Sequence, residues 1–397
     1  MPRSQNIDIC IRRNGCDAVQ ERSVDRSADR PALNRFIHAS RTRPAHWRGI
    51  AVVNGLLTME NRVENIIDVL ACDVGYFSVK AAYRVRGSIE AFSFPSVVSR
   101  STRDTLRSTA EFFGKNDDRL EVSVGGTIYT VDTSRSALPS SSAVRTEVDN
   151  FPQTEAYTAL VLACLKKIRS SRIRCLVLGL PIHTMHKHTD YLKSYFSAVH
   201  QLGELGRCVV ERVVVLPQPL GTFALLRSQG LISGERHTST CIVDVGWHTT
   251  DAIVIDPAGT PDLERSIGLS GGAARVVREV ARLTSEKTGS RMDNLDRVDH
   301  ALRNGERLHV SGNYVDLGPH LCTALKDTQQ IADAVLTAVR TSEDLKVYVT
   351  GGGARFYFDA LSGSMGFAVK LVDRSQMANV LGFLMAAEVA LKAQGAR

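Results

Sequence analysis

The sequence predicts an α/β protein with two domains from residue 59 onward, each a sheet covered by helices. Three observations predict it. Apolar strands alternate with stretches of helical periodicity. Several strands run directly into glycine turns. One strand-turn-strand pattern also occurs twice, as "VLACDVGYFSVKAAYRV" (69–85) and "CIVDVGWHTTDAIVID" (241–256). The copies lie about 170 residues apart, a spacing of one per domain.

In chain order, "IIDVLACDVG" is a strand entering a glycine turn, and "SVKAAYRVRG" is its hairpin partner. "RLEVSVGGTIYTVD" is a second hairpin with Gly125-Gly126 at the turn. "TEAYTALVLACLKKIR" has apolar residues at helical spacing and ends in basic residues, which suit a helix C-terminus. "IRCLVLGLP" is a continuous apolar strand followed by a helical "HKHTDYLKSYFSAVH", and "ERVVVLPQPLGTFALL" is a strand that breaks at prolines and becomes a helix. The second half restarts with the "DVGWHTTD" hairpin. "GGAARVVREVARLT" predicts a helix opening at a glycine pair, and "LGPHLCTALKDTQQIADAVLTAVR" a single long amphipathic helix. "LKVYVTGGGARFYFDAL" is a strand, a triple glycine and a helix, and "QMANVLGFLMAAEVALKA" is the closing helix.

Composition narrows the function classes. The chain has 397 residues, 43% hydrophobic and 23% charged, which is ordinary for a globular protein. Its net charge of +7 suggests a polyanion-binding surface until the charge is located. Residues 1–58 hold ten arginines, no lysine and five acidic residues, a net of +5, which leaves +2 for the other 339 residues. The body therefore shows no nucleic-acid surface in its composition. Residues 1–58 are arginine-rich, aperiodic and broken by prolines, so a disordered basic extension is expected there. A DNA-touching arm and a start placed upstream of a natural beginning at Met59 are the other readings. The eight cysteines form no C-x-x-C pair, and Cys175 and Cys241 sit inside apolar runs, as free thiols do in a reducing compartment. No stretch reaches the roughly 18 apolar residues of a membrane span. A soluble, cytoplasmic protein without membrane contact is expected.

Chemistry is expected at the two hairpins. An aspartate at a strand end followed by glycine lets backbone amides approach an anion, while the carboxylate holds hydrated Mg²⁺ through its waters. Around Asp73 stand Gly75, Tyr76, Ser78 and Lys80, the lysine suited to a phosphate as a point charge. Around Asp244 stand Gly246, Thr249 and Thr250, with Asp251 placed to orient the turn or reach the metal shell. Either copy alone is an ordinary Asp-Gly turn; the repeat makes the pair a clamp. In "LPQPLG", prolines on both sides of Gln218 aim its side chain, which can position water for attack on a terminal phosphate. Gly351, Gly352 and Gly353 permit close approach to a ring or phosphate at a helix N-terminus. Gly271, Gly272 and Arg275 open a similar helix, with Arg275 and Glu279 able to reach a ribose or base or to pair with each other. His183, His186 and His188 are close in sequence but lack the companion spacing of a metal site.

The ordered set "DVGYFSVK", "PQPLG", "DVGWHTTD", "SGG" and "VTGGG" resembles the phosphate-1, connect-1, phosphate-2 and adenosine motifs of the actin/Hsp70/sugar-kinase ATPase superfamily. "FPSVVSR" (94–100) and "ANVLGF" (378–383) look most like the bacterial actin-like branch of plasmid segregation, the ParM/StbA type. The resemblance runs from about residue 66 to the C-terminus and leaves 1–58 without a counterpart. It implies two ribonuclease-H-like domains, 59–235 and 236–375, with a helix at 376–397 returning to the first and ATP (or GTP) with Mg²⁺ between them. Carried over, Asp73, Asp244 and Gln218 become the catalytic set, with the aspartates organising the metal. The glycines, Tyr76, Ser78, Lys80, Thr249, Thr250, Asp251 and Arg275 become nucleotide contacts. Trp247-His248 depart from the small residues relatives often have there, and would tune phosphate release or lean away from the nucleotide. The expected function is a filament-forming ATPase that reaches plasmid DNA through an adaptor protein. The alternatives are a non-polymerising actin-fold ATPase and a phosphotransferase such as a sugar kinase or exopolyphosphatase. Gln218, standing where a kinase needs an aspartate base, disfavours the last.

Overall fold

The structure, a computed structural model, describes residues 65–101, 118–134, 145–232, 237–340, 343–365 and 369–395. The extension expected over 1–58 lies outside the described residues. The first half contains β1 (Ile66–Val74), β2 (Ser78–Val85), β3 (Ser88–Pro95), β4 (Val98–Arg100), β5 (Arg119–Val124) and β6 (Thr127–Asp132). It continues through α1 (Glu155–Ile168), β7 (Arg172–Leu180), α2 (Met185–Phe196), β8 (Val199–Gln201), β9 (Arg207–Val210), β10 (Val213–Pro217) and α3 (Gln218–Ser228). The second half contains β11 (Ser239–Val245), β12 (Thr249–Ile255), β13 (Pro261–Ser270), α4 (Ala273–Thr288), α5 (Leu295–Asn304), β14 (Leu308–Val310) and β15 (Asn313–Val315). After these come α6 (Gly318–Ala324), α7 (Thr328–Val339), β16 (Leu345–Thr350), α8 (Ala354–Met365), β17 (Val369–Leu371) and α9 (Ala378–Gly395).

The repeat seen in the sequence is a repeat of topology. The first sheet runs β3-β2-β1-β7-β9-β8, with β10 also on β7, and the second runs β13-β12-β11-β16-β17. In each, a central strand pairs antiparallel with its hairpin partner on one side and parallel with a later strand on the other, β1 with β2 and β7, β11 with β12 and β16. Every residue of β11 and β12 is buried, as their continuous apolar runs require when both faces of a sheet are covered. The hairpin expected over 119–132 is β5–β6, and Gly125 and Gly126 both take positive φ at its turn. Thr154 caps α1 by accepting from the Tyr157 amide at 3.2 Å.

One expected element is corrected. The stretch read as a single helix over 317–340 is α6 and α7 joined by a 3-10 turn at Leu325–Asp327. The Thr328 hydroxyl donates to the Leu325 carbonyl at 2.6 Å at that turn, and the two helices pack on different neighbours, α6 on α4 and α7 on β13. Periodicity alone does not register a 3-10 segment between two amphipathic helices.

Two helices tie the sheets together. On the first sheet, Val69, Ala71 and Val177 pack against Val380, Phe383 and Leu384 of α9. On the second, Ile242, Ile253 and Tyr348 pack against Leu225 and Leu226 of α3. The helices α3 and α9 cross at glycines, where a Cβ on Gly382 would overlap the Gly221 carbonyl and lie 2.9 Å from the Leu225 amide nitrogen. Backbone contact this close excludes any side chain, which fixes the crossing point. Gly382→Ala is expected to destabilise the protein by about 1–3 kcal/mol through overpacking, read as a lower urea midpoint with unchanged slope.

Candidate functional site

A cavity of about 370 Å³ lies where β1, β7, β10, β11 and β16 end, lined there by Asp73, Pro181, Gln218, Asp244 and Gly351. The carboxyl ends of strands are where open α/β sheets offer room for ligands. Both acid-glycine hairpins face it and are closed in the same way. Gly75 N–H donates to Ser78 O at 3.2 Å, and Gly246 N–H donates to Thr249 O at 2.9 Å. Ser96 anchors the first turn, donating its hydroxyl to the Gly75 carbonyl at 2.5 Å.

Asp73 is 2% exposed and Asp244 is 6% exposed, so each carboxylate needs partners. Lys80 stands opposite Asp73 in the β1–β2 register and its Nζ lies 3.2 Å from Oδ2. Gln218 Nε2 donates to Asp73 Oδ1 at 2.7 Å from the first turn of α3. Among the described residues no cation pairs with Asp244; its Oδ2 accepts from Asn379 Nδ2 at 2.6 Å, at the start of α9. Burial pushes the Asp244 carboxyl up to about 6; the Asn379 bond lowers it, neighbouring Asp73 raises it and Lys80 lowers it. A buried carboxylate left short of positive charge, with a second beside it on one cavity, is the donor chemistry of a hydrated Mg²⁺ site. Among the described residues no three His, Cys, Asp or Glu side chains cluster as a metal-ligand set.

The triple glycine brings a third loop onto this pair. Gly351 takes φ +92°, and a Cβ there would strike the Asp244 carboxylate and the Val245 carbonyl. Gly353 N–H donates to Val245 O at 2.8 Å, so the β16–α8 turn lies directly against the second hairpin. At the far end, Arg303 of α5 donates from Nε to Asp299 Oδ2 at 2.6 Å and from Nη1 to the Gly352 carbonyl at 2.7 Å. Asp299 is buried, lines the cavity and leaves Oδ1 without a partner.

The sequence-predicted residues divide into two groups. Tyr76, Ser78 and Gly352 also line the cavity. Thr249, Thr250, Asp251, Gly271, Gly272, Arg275 and Gly353 are not among its lining residues, and several of them hold the second hairpin. Thr250 donates its hydroxyl to the Gly271 carbonyl at 2.7 Å, and Gly271 N–H donates to His248 O at 2.8 Å. A Cβ on Gly272 would lie 2.6 Å from the Gly246 carbonyl, so only glycine lets the α4 N-terminus approach the turn. Arg275 donates to Gln330 at 3.2 Å, while Glu279 pairs with Arg282, so the Arg275–Glu279 pairing is not made. Asp251 sits opposite Asp244 in the β11–β12 register and accepts from the Ile182 amide of the first half at 2.8 Å.

Trp247 and His248 turn toward the first hairpin. Trp247 packs on Phe77 with ring centroids 4.4 Å apart, and His248 on Tyr76 at 5.1 Å. Sequence reasoning passed over Asn379, Arg145 and the whole of α5, with Asp296, Asp299 and Arg303 on the cavity. The Asn294 cap and the spacing of Leu295, Val298 and Leu302 were the available signals for α5.

Two lobes of repeated topology, each presenting an acid-glycine hairpin to one cavity, define an actin-type two-domain fold. Family models agree: that for the N-terminal domain of actin-like proteins matches residues 71–221, and that for the C-terminal domain of the archaeal MreB-like actin homologue matches 242–363. The chain belongs to the actin-like proteins. Its fold is similar to the crystal structure of an archaeal actin homologue, with 20% identity over 81% of this chain and 100% of that one and a TM-score of 0.68. The ADP complex of that homologue superposes with a TM-score of 0.65 at 20% identity, covering 81% of this chain and 100% of that one. A ParM from a 15-stranded filament of Clostridium botulinum gives 0.63 at 20% identity, covering 81% and 99%. No curated protein matches the sequence. No helix among the described residues is long and apolar enough to cross a membrane.

Burial pushes the Asp251 carboxyl up to about 7, with Asp244 adding to the rise and the Ile182 amide opposing it. A raised folded-state value means that the neutral acid stabilises the fold fully below about pH 4, and that this stability is lost as pH climbs through about 7. Asp251→Asn keeps an acceptor for Ile182 and never ionises. Relative to the parent protein it is expected to gain on the order of a few kcal/mol between pH 4 and pH 8, measured by urea unfolding at both values.

Proposed function

We propose that this protein binds and hydrolyses ATP, or GTP in its place, with Mg²⁺ in the cavity between its lobes, and that it assembles into nucleotide-dependent filaments. We further propose that the filaments act in DNA segregation, reaching plasmid DNA through an adaptor. The observation that carries the reading is the pairing of Asp73 and Asp244, two buried carboxylates under two glycine hairpins that face one cavity. The ADP bound by the archaeal homologue and the filament formed by the clostridial ParM support it by likeness of fold.

The residues divide the chemistry among them. Asp73 and Asp244 would hold the hydrated cation, which would neutralise charge on the terminal phosphates. Amides of the Gly75 and Gly246 turns meet the phosphate oxygens, and Lys80 adds a positive charge beside Asp73. Gln218 is fixed by its bond to Asp73, so it can orient a water in line with the terminal phosphate. Gly351 and Gly352 with Arg303 and Asp299 form the wall for the sugar and base. The absence of an aspartate at position 218 leaves a phosphate-accepting hydroxyl without a base, which favours water as the acceptor.

Ultracentrifugation with ATP, with ADP and without nucleotide tests assembly. Pelleting at micromolar protein with ATP, and less with ADP, is expected; no sedimentation under any nucleotide rejects the filament. Gln218→Ala is expected to slow phosphate release by about 10- to 100-fold with nucleotide affinity changed by no more than a few-fold. An unchanged turnover removes Gln218 from the mechanism.

A further inference from the structure

The side chains of Arg145 and Glu147 reach from the first lobe to the second and make opposite-charge contacts there that none of the expected nucleotide motifs contains. Arg145 stacks its guanidinium over the Phe77 ring at 4.1 Å and donates to the Phe77 carbonyl, both in the first hairpin. Its other terminal nitrogen pairs with Asp296 at the start of α5 in the second lobe, with side chains only 11% and 16% exposed. Two residues on, Glu147 accepts from Trp247 Nε1 at 2.7 Å and from Arg278 of α4, and its Oε2 lies 3.7 Å from His248 Nδ1. The backbone is tied down as well, since the Tyr76 hydroxyl donates to the Val148 carbonyl at 3.3 Å. Arg145, Phe77, Trp247 and Asp296 all line the cavity, so this strap forms part of its wall.

We propose that residues 145–149 are a latch between the lobes, with Arg145–Asp296 and the Glu147–Trp247–Arg278 group as its two catches, and that releasing the latch is the step that lets ligand leave the cavity. The two catches have opposite polarity: a first-lobe cation meets a second-lobe anion, and a first-lobe anion meets a second-lobe cation. Both catches close on one short segment, so a displacement of the lobes that parts Arg145 from Asp296 also pulls on the Glu147 group. Arg145 also carries a buried Nε without a partner, so its position is set by one terminal nitrogen on Asp296, the other on the Phe77 carbonyl, and the stack on the Phe77 ring. The latch grips the turns of both acid-glycine hairpins from the side, through Tyr76 and Phe77 on one and Trp247 and His248 on the other. Opening it therefore loosens the elements that face the ligand rather than a remote edge of the lobes.

The inference rests on the proposed nucleotide site for its functional half, and the test separates the two. The first readout is amide hydrogen exchange of the nucleotide-free protein, which needs no ligand. Arg145→Ala and Glu147→Ala are expected to speed exchange at least 10-fold at the start of α5 and in the turn at 246–248, both far from the mutated positions in sequence. The second readout is displacement of etheno-ADP by excess ADP in a stopped-flow instrument. Release is expected to be at least 10-fold faster in each variant and intermediate in Arg145→Lys, which keeps the charge without the fork. The exchanged pair Arg145→Asp with Asp296→Arg is expected to recover at least half of the lost retention on a logarithmic scale, which guards against mere unfolding as the cause. Parental exchange in the free variants, or parental release rates with the probe bound, overturns the latch. If neither etheno-ADP nor mant-GDP binds the parent protein, the nucleotide reading fails, and the exchange data alone then decide whether the lobes are latched.

Discussion

Two carboxylates share one low-dielectric cavity, and most of the surrounding structure can be traced to keeping them there. Burial pushes the Asp244 carboxyl up to about 6, and neighbouring Asp73 adds to the rise. Lys80 offsets one of them from the neighbouring strand, and the other partners are side-chain amides, Gln218 and Asn379. Those amides are delivered by the first turns of α3 and α9, so the placement of two helices decides whether the acids are satisfied. The helices hold their places because Gly221 and Gly382 let their backbones touch, and because Thr222 bridges to Asn379 at 2.6 Å within the crossing. A packing constraint between glycines thus reaches the cavity through two amide hydrogen bonds.

The part of this that the sequence displays is the part encoded by short-range pattern. The Asp-Val-Gly turns, the strand pairs beside them and the triple glycine are local, and each is read from residue type and spacing. Gln218 is legible because its flanking prolines mark a strand end. Asn379 is not, since a single asparagine entering an apolar helix means little until α9 is known to cross α3. Nor is the division among residues of the second hairpin. Thr250, Gly271 and Arg275 have the residue types of ligand contacts, yet their hydroxyl, carbonyl and guanidinium are taken up by one another or by Gln330. Tertiary hydrogen bonding decides which polar groups remain free to face a cavity, and a strand's sequence does not carry that information. The same limit explains the broken helix at 325–327, where both halves keep their apolar stripe while turning to different neighbours.

The register of the two hairpins sharpens the comparison between the lobes. Lys80 occupies the position opposite Asp73, and Asp251 occupies the position opposite Asp244. The repeat is therefore symmetric in backbone and asymmetric in charge. In the first lobe the facing residue neutralises the acid. In the second it is another acid, which sits near neutral pH because of burial and binds the Ile182 amide of the first half. Asp244 is left with the larger deficit of positive charge.

Trp247 and His248 gain a role from the same view. Small residues at those positions would remove the ring contacts that join the two turns. The two rings reach Phe77 and Tyr76, so the turns contact each other directly, and Glu147 fixes the indole from the first lobe. Aromatic contacts of this kind are short-ranged and orientation-dependent. The hairpins thus supply both the wall of the cavity and a direct contact between the lobes.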